Sequence, residues 1–227
     1  MKELIVRIMM NNVIFGAGQR AREIKYLLGI ENIHVDCFIV DKEYISSPMY
    51  DNTTVISAEE FFKLYSPDDT NVYLGVGMPK MNKIRERLFE KFHSNGFAFQ
   101  KYISPFANVL SDKIGEGTTV FAGVNIGPNV KIGKGNHFEM GVTISHDCTI
   151  GDYNFFAPGC SLCGDITIDK GSFFGANCTV KNSIKIGSYV LIGAGSYADK
   201  NLPDYSVLLP ARSSLIQDKD STYFMDK

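Results

Sequence analysis

A histidine followed by an aspartate, His146 and Asp147, stands inside the segment TISHDCTIGDYNFFAPGC, residues 143–160, which otherwise has the composition of a packed core. General-base catalysis uses this combination, because a carboxylate holds the imidazole in one tautomer and stabilises its protonated form. An arbitrary surface histidine, however, is more often only a solvated polar residue. The elements around the pair must therefore decide between the two interpretations.

Two other groups of residues have metal-ligand character, and both are incomplete. Cys160 and Cys163 form one CxxC pair, but a structural zinc site needs two further ligands and the chain has no second pair. His137 precedes His146 by nine residues, while the two remaining histidines fall in the N-terminal half. We therefore predict no metal site.

A glycine turn near the N-terminus has the spacing of a phosphate site. The apolar run NNVIF, residues 11–15, is followed by GAGQRA, residues 16–21, and then by a helical pattern. Such a turn exposes unpaired backbone N–H groups at the positive end of a helix dipole. Asp41, at the end of the next apolar run, lies where a ribose hydroxyl would fall. The G-x-G-x-x-A spacing favours a nucleotide diphosphate, with NAD or a bare strand-to-helix turn as alternatives.

The second half of the chain contains the strongest pattern, an apolar residue at every sixth position. Fifteen consecutive steps obey it: Ile114, Val120, Ile126, Ile132, Phe138, Ile144, Ile150, Phe156, Leu162, Ile168, Phe174, Val180, Ile186, Ile192 and Ala198. Neither a helix nor simple strand alternation selects every sixth residue. The pattern predicts a hexapeptide parallel β-helix of about five triangular coils, without a large loop between residues 114 and 198. Cys148, Cys160 and Cys178 fall at a small inward position, which predicts core filler and disfavours an acyl-cysteine mechanism.

The composition changes near Pro105, and this change predicts the domain organisation. Apolar runs alternate with helical patterns before it, which predicts an α/β domain over residues 1–104. About 100 residues provide only one mononucleotide-binding half of a Rossmann sheet. The β-helix is predicted over residues 105–213, and residues 214–227 form a tail without hexapeptide phase.

Charge and composition exclude several classes of function. The net charge is −2, from 23 basic and 25 acidic residues without a basic block, so we expect no nucleic-acid partner. No apolar stretch approaches the length of a spanning helix, and the N-terminus lacks a signal-peptide cleavage site. An odd number of cysteines, five, makes a disulfide framework improbable. We expect a soluble, cytoplasmic protein.

Together these motifs resemble the bacterial nucleotide-sugar acetyltransferases of the left-handed β-helix class. That class includes UDP-4-amino-sugar N-acetyltransferases and sialic acid O-acetyltransferases. The similarity rests on VIFGAGQRARE with the following FIVD, on YLGVGMPKMNKIRE, and on VTISHDCTIGD, APGCSLCGDITI, FFGANCTV and LIGAG. It implies an acetyl-CoA-dependent N-acetyltransferase acting on a nucleotide-linked amino-deoxy sugar (UDP, dTDP or GDP) in surface polysaccharide biosynthesis. It also implies a homotrimer, with acetyl-CoA as co-substrate in the groove between two β-helices.

The resemblance further implies roles for individual residues. His146 matches the general base of a direct transfer, and Asp147 matches the acidic neighbour that makes this base more basic. The residues expected to face the nucleotide sugar on the N-terminal domain are Gly16, Gly18, Gln19, Arg20, Asp41, Lys42 and Gly77. The expected backbone contacts to the coenzyme fall at Gly164, Ala176 and Ala194.

Two positions depart from the pattern of the relatives. Phe155 stands where many relatives have a second histidine near the acetyl group, and a phenyl ring cannot donate a hydrogen bond to an oxyanion. Glu139 replaces a common asparagine, and we expect it near the reacting group of the sugar. There it could hold an ammonium, act as a second base, or indicate a substrate other than the 4-amino sugars of the relatives. These departures leave two alternatives: a sugar O-acetyltransferase of the sialic acid type, or a non-enzymatic, nucleotide-binding trimeric scaffold.

Overall fold

A computed structural model of the protein describes residues 10–78 and 80–213. The predicted tail over residues 214–227 lies outside the described residues.

The N-terminal part is a five-stranded sheet with helices. Its strands are β1 (Asn11–Phe15), β2 (Cys37–Val40), β3 (Met49–Tyr50), β4 (Thr53–Ser57) and β5 (Thr70–Leu74). The strand order is β3-β4-β2-β1-β5, and every pair is parallel except β3 with β4. The apolar runs singled out in the sequence form β1, β2 and β5, the three strands that surround the glycine turn. The sequence pattern did not indicate β3 and β4.

Three α-helices flank this sheet. They are α1 (Gln19–Ile30), α2 (Ala58–Leu64) and α3 (Lys83–His93), and a 3₁₀ turn spans Lys42–Tyr44. In α1 the buried residues Ala21, Ile24 and Leu28 recur at helical spacing, so one face of the helix packs on the sheet. The side chain of Ser57 accepts a hydrogen bond from the Glu60 backbone N–H and caps α2.

From Tyr102 onward, two-residue strands stack into three parallel sheets, which we call faces 1, 2 and 3. Face 1 consists of β6 (Tyr102–Ile103), β8 (Thr119–Val120), β11 (His137–Phe138), β14 (Phe155–Phe156), β17 (Phe173–Phe174), β20 (Leu191–Ile192) and β22 (Val207–Leu208). Face 2 consists of β7 (Asn108–Val109), β9 (Asn125–Ile126), β12 (Thr143–Ile144), β15 (Ser161–Leu162), β18 (Thr179–Val180) and β21 (Tyr197–Ala198). Face 3 consists of β10 (Lys131–Ile132), β13 (Thr149–Ile150), β16 (Thr167–Ile168) and β19 (Lys185–Ile186).

The six-residue pattern defines the interior of these stacked coils. Phe138 pairs with Phe156 and Phe156 with Phe174, so partners lie 18 residues apart, which is three hexapeptides. All fifteen predicted positions are buried, none more than 7% exposed. The thiols of Cys148, Cys160 and Cys178 are also fully buried in this core, and all five cysteines are free. The predicted parallel β-helix core and the filler role of the three cysteines are confirmed.

At both ends of the β-helix the strands depart from the six-residue phase. Ile103 pairs with Val120, a separation of 17 residues, and Ile192 pairs with Leu208, a separation of 16. The shorter steps conceal these first and last strands from a search for a constant period. The first strand therefore begins at Tyr102, before the composition change at Pro105.

Helix α3 joins the two parts of the molecule. Phe89 on this helix packs edge-on against Tyr153 of the β-helix, with ring centroids 5.3 Å apart. The amide of Asn82, just before α3, donates to the backbone oxygens of Gly171 and Ser172, both at 3.2 Å. Arg85 donates through Nη1 to the Gly135 oxygen at 2.8 Å. These contacts set the glycine turn of the N-terminal part against the β-helix.

Candidate active site

His146 and Asp147 occupy the turn that leads from β12 on face 2 to β13 on face 3. Asp147 has a φ of 59°, the left-handed conformation that Asp and Asn tolerate better than most residues. Its N–H donates to the Pro128 oxygen at 3.1 Å, and the His146 oxygen accepts from the Asp165 N–H at 3.0 Å. The coils on both sides therefore fix the backbone of the pair.

The two side chains form a directed hydrogen bond at the surface. His146 Nδ1 lies 2.8 Å from Asp147 Oδ2, and Asn129 Nδ2 donates to the other carboxylate oxygen at 3.0 Å. The hydrogen bonds from His146 and Asn129 lower the pKa of Asp147, so the carboxylate is ionised at neutral pH. An ionised carboxylate can only accept, which makes Nδ1–H the donor and leaves Nε2 with its lone pair. With 60% of the His146 side chain exposed, this arrangement can take a proton from a bound molecule.

The residues predicted to contact the coenzyme lie on both edges of face 2. Gly164 occupies the same turn as His146, one coil further along, and the imidazole packs directly against it. Ala176 and Ala194 lie in the turns from face 1 to face 2, at the opposite edge. The outward side chains between the two edges include the small polar residues Thr143, Ser161 and Thr179, and Tyr197 stands on the last strand. Face 2 is thus a flat strip with His146 at one border.

A second histidine–carboxylate pair lies at the other border of face 2, inside the protein. His137 Nε2 lies 3.3 Å from Glu139 Oε1, and Arg20 of α1 forms an ion pair with the same carboxylate oxygen. The guanidinium of Arg20 also lies 5.5 Å from the ring centroids of both Phe121 and Phe155. Sequence reasoning missed this cluster, because its members belong to different domains.

Burial determines the charge of each member of the cluster. Desolvation lowers the pKa of His137 to about 3, so its imidazole is neutral and donates a hydrogen bond rather than forming an ion pair. For Glu139, burial is the largest single influence and opposes ionisation, but the hydrogen bond from His137 and the positive charge of Arg20 together keep its pKa below the usual range. The carboxylate of Glu139 is therefore balanced by the guanidinium of Arg20, which also forms an ion pair with Glu23 on its own helix.

Two further residues singled out in the sequence, Phe155 and Glu139, have surroundings that the sequence did not indicate. The side chain of Phe155 is only 3% exposed, stacked between the rings of His137 and Phe173 on face 1, so it does not lie beside His146. Glu139 is not a free carboxylate that awaits a substrate ammonium, because Arg20 already neutralises it. The physical reason is the same for both, since the N-terminal part covers this region of the β-helix.

The glycine turn lines a cavity of about 620 Å³ at the carboxyl ends of β1, β2 and β5. Its walls include the following predicted residues: Gly16, Gly18, Gln19, Arg20, Asp41 and Gly77. Gly16 has a φ of +121°, and a Cβ there would stand 2.6 Å from the Gly75 oxygen, so both the conformation and the close approach require glycine. A cavity at the carboxyl ends of parallel strands is where α/β sheets bind their ligands.

Asp41 and Lys42 differ in their relation to this cavity. Asp41 lines it, and its carboxylate is held by Lys91 at 2.6 Å and Arg87 at 3.5 Å, both from α3. Lys42 begins the 3₁₀ turn, is exposed, and does not line the cavity. Asp41 is therefore positioned by α3, whereas nothing in the described contacts directs Lys42 toward the cavity.

A larger cavity of about 810 Å³ lies on the other side of the Arg20–Glu139 pair. Outward residues of α1, including Tyr26 and Ile30, form one wall, and Phe121, Glu139 and Met140 of the β-helix form the other. Arg20 lines the glycine-turn cavity and Glu139 lines this one, so the ion pair forms part of the wall between them.

Arg85 is a further buried cation that the sequence did not single out. It is completely buried, with Nε donating to the Val76 oxygen at 3.2 Å in addition to its bond to Gly135. Burial lowers its pKa to about 9, which still leaves it charged at neutral pH. Its position beside the glycine-turn cavity adds positive potential where an anion would bind.

Over residues 10–78 and 80–213, no three His, Cys, Asp or Glu side chains gather as a metal site would require. Within the same residues, no helix combines the length and apolar character needed to cross a membrane.

Comparison with known proteins supports the interpretation of the repeat. The model of the hexapeptide repeat of succinyl-transferase matches residues 165–200. None of the curated proteins matches the chain in sequence.

Several solved structures share the fold over almost their whole length. The acetyltransferase domain of PglB from Neisseria gonorrhoeae, also solved with acetyl coenzyme A, is 23% identical, with a TM-score of 0.78 over 88% of this chain and 96% of that chain. PerB from Caulobacter crescentus, in complex with CoA and GDP-perosamine, is 25% identical, with a TM-score of 0.78 over 88% and 94%. WeeI from Acinetobacter baumannii is 24% identical, with a TM-score of 0.77 over 88% and 97%. These findings confirm the resemblance predicted from the sequence: the chain has the hexapeptide-repeat fold of bacterial sugar acetyltransferases.

Proposed function

We propose that the protein is an acetyl-CoA-dependent N-acetyltransferase that modifies the amino group of a nucleotide-linked amino-deoxy sugar. The observation that carries this proposal is the exposed His146–Asp147 pair at the border of face 2, with Nδ1 engaged and Nε2 free. The similar structures support the class of reaction, since PglB was solved with acetyl coenzyme A and PerB with CoA and GDP-perosamine.

In the proposed reaction, His146 acts as the general base. The amine nitrogen attacks the thioester carbonyl carbon of acetyl-CoA, and His146 Nε2 takes a proton from that nitrogen. The tetrahedral intermediate then collapses, the C–S bond breaks, and CoA leaves as the thiolate, which the protonated imidazole can neutralise. Asp147 stabilises the imidazolium and holds the ring, which is the task of the carboxylate in such pairs. A covalent acyl-enzyme is not needed, in keeping with the burial of Cys148, Cys160 and Cys178.

We assign the nucleotide to the glycine-turn cavity of the N-terminal domain, residues 1–104, and the coenzyme to the β-helix, residues 105–213. The start of α1 offers unpaired N–H groups to a diphosphate, and the buried Arg85 adds positive charge nearby. The proposed coenzyme strip on face 2 carries small outward side chains, which allow close approach of a flat ligand. GDP is the nucleotide bound to the similar PerB, and we propose a GDP, UDP or dTDP sugar here.

We further propose that the active form is a homotrimer in which face 2 meets a neighbouring β-helix. Met140, at one border of face 2, and Tyr197, on its last strand, are 58% and 57% exposed, and contact with a neighbouring β-helix would remove their apolar surface from water. A closed three-fold ring would place the coenzyme strip between neighbours. Light scattering should give the mass of three chains, and a monomer with full activity would contradict this arrangement.

The function is tested by acetyl transfer from acetyl-CoA to a panel of GDP-, UDP-, dTDP- and CMP-sugars that carry either an amine or only hydroxyls. We expect CoA release and an N-acetylated product with one class of nucleotide-linked amino sugar. Mass spectrometry before and after mild alkali distinguishes an amide from an ester. Transfer only to hydroxyls would indicate an O-acetyltransferase, and calorimetry without heat from either CoA or acetyl-CoA would indicate a non-enzymatic scaffold.

A further inference from the structure

Gly164 occupies a turn position at which the other coils carry a side chain. The turns from face 2 to face 3 begin with Pro128, His146, Gly164 and Asn182 in successive coils. The residue that follows donates its N–H to the first turn residue of the preceding coil, as Asp165 does to His146 and Ser183 does to Gly164. The four turns are therefore equivalent in structure, and glycine appears at this position in one of them.

The backbone does not explain this glycine. The left-handed conformation falls on the next residue of each turn: Asn129, Asp147, Asp165 and Ser183 have φ values of 59°, 59°, 58° and 59°. Gly164 is not among the glycines with positive φ. Proline, histidine and asparagine adopt the same place in the neighbouring coils, so an L-residue fits the conformation. The need for glycine must come from what lies against it.

The imidazole of His146 lies in the space that a side chain at position 164 would fill. A Cβ on Gly164 would stand 2.5 Å from His146 Cε1, 2.7 Å from Nε2 and 3.0 Å from Nδ1. Separations below 3.0 Å between such atoms do not occur without movement, so any larger residue must displace the ring. Displacement of the ring alters the 2.8 Å hydrogen bond between Nδ1 and Asp147.

We infer that Gly164 is a positioning residue for His146. Because Gly164 has no side chain, the imidazole can pack against its backbone while Nδ1 contacts Asp147. This inference rests on the proposed function, in which His146 is the base. It differs from the expected backbone contact between Gly164 and the coenzyme, because the side-chain space at this position belongs to the imidazole.

The test replaces Gly164 by alanine and uses Asn182→Ala as the matched control, which puts the same methyl group at the same turn position one coil further on. We expect Gly164→Ala to lower kcat by about 10²-fold, the usual consequence of a catalytic group displaced by about an ångström, with KM for acetyl-CoA nearly unchanged. Asn182→Ala should leave kcat unchanged. A rise in KM with unchanged kcat would assign Gly164 to the coenzyme and overturn the inference.

A spectroscopic readout separates this inference from the function on which it rests. The chain has four histidines, so the ¹⁵N imidazole resonances of His146 are identified by their loss in His146→Ala. Gly164→Ala should shift them and weaken the Nδ1–H signal of the hydrogen bond, with or without substrate. Unchanged resonances would disprove that Gly164 positions the imidazole, even if His146 proves to be the base.

The double variant completes the test. Once His146 is alanine, a methyl group at position 164 meets no ring, so Gly164→Ala should change the residual rate by less than about twofold. A further large loss in that background would show that Gly164 acts without His146. Full activity of His146→Ala would instead refute the proposed function. The resonance shift in Gly164→Ala would still show whether Gly164 positions the imidazole.

Discussion

The β-helix contains two histidine–carboxylate pairs on one coil, and they differ in nearly every physical respect. His146 and Asp147 are exposed at one border of face 2, with 2.8 Å between Nδ1 and the carboxylate oxygen. His137 and Glu139 are buried at the other border, with 3.3 Å between Nε2 and the carboxylate oxygen and with Arg20 against the same carboxylate. The same two kinds of side chain thus form a proton acceptor open to ligands in one place and an internal polar contact in the other.

The difference arises from what covers each part of the β-helix. On face 1 the outward positions hold His137, Phe155 and Phe173, and Arg20 from α1 packs over the ring of Phe155. Face 2 has Thr143 and Ser161 at equivalent positions. Burial removes water from His137 and makes its charged form costly, whereas His146 keeps its hydration. Proximity of a histidine to a carboxylate is therefore not enough to identify a catalytic pair. Its exposure must be known.

The largest expected contrast comes from replacing each histidine by alanine. His146→Ala should lower turnover by a factor of about 10² to 10⁴, because the general base is removed, and should leave the melting temperature nearly unchanged. His137→Ala should lower the melting temperature, because it leaves a cavity among stacked rings and removes a hydrogen bond from Glu139. Steady-state kinetics and calorimetric unfolding of both variants measure this. Loss of stability in His146→Ala with unchanged turnover would reverse the two assignments.

The second prediction concerns the ion pair between the domains. Glu139→Ala removes the carboxylate that accepts from His137 and pairs with Arg20 across the domains, while Glu23 stays as a counter-charge for Arg20 on the same helix. We expect the free energy of unfolding to fall by about 2 kcal/mol, because a buried hydrogen bond to a charged group is lost. Denaturant unfolding at neutral pH measures the change. Arg22→Ala is the control, because Arg22 is on the same helix but exposed, and it should have little effect. Equal effects of the two variants would mean that the pair does not hold the domains together.

The third prediction separates the pairs by pH. His137 has a pKa of about 3 in the folded protein and about 6.5 in the unfolded chain. Between these two pH values the unfolded chain binds a proton that the folded protein does not bind. Its contribution to stability is complete above pH 6.5 and is lost as the pH falls toward 3, reaching a deficit of about 2 kcal/mol at pH 5. Unfolding at pH 7 and pH 5 should show a smaller difference in His137→Gln than in the wild type. An identical difference would mean that His137 takes up its proton in the folded state.

The smallest expected effect tests the orientation of Asp147. Asn129 donates to Asp147 Oδ1 at 3.0 Å from the preceding coil, and alanine in its place frees the carboxylate to rotate. Because one exposed hydrogen bond is lost, we expect Asn129→Ala to lower kcat by about three- to tenfold. Asn182→Ala, in a turn of the same kind two coils further on than His146, provides a comparison at a side chain that does not touch the pair. A change in Asn182→Ala as large as that in Asn129→Ala would indicate a general effect on the coils.

Much of the fold follows from local patterns. The apolar residues at every sixth position predicted all fifteen buried positions, because each coil repeats the same three short strands and the same environment. The runs before and after the glycine turn predicted β1, β2 and β5, which position the cavity. The end coils escaped prediction because they contain 17 and 16 residues, and β3, β4 and α2 escaped because their short apolar segments have no distinctive period.

The site was predictable only in part. Chain position alone places His146 in an outward turn beside Asp147, since both follow Ile144 in a repeat whose inward positions are known. The surroundings of Phe155 and Glu139 could not be predicted, because an outward position of the repeat does not reveal whether another domain covers it. The one available signal was the run of aromatic residues at 18-residue spacing on face 1, Phe155 and Phe173, where faces 2 and 3 carry threonine, serine or lysine.

The sequence by itself therefore determined the period of the coils, the composition of their core and the place of the exposed pair, because these depend on residues close together along the chain. Only the tertiary structure decided that Arg20 neutralises Glu139, that His137 is neutral, and that the His146 imidazole rests on Gly164. These contacts join residues from different domains or successive coils, and their charge states depend on how much water the assembled protein excludes.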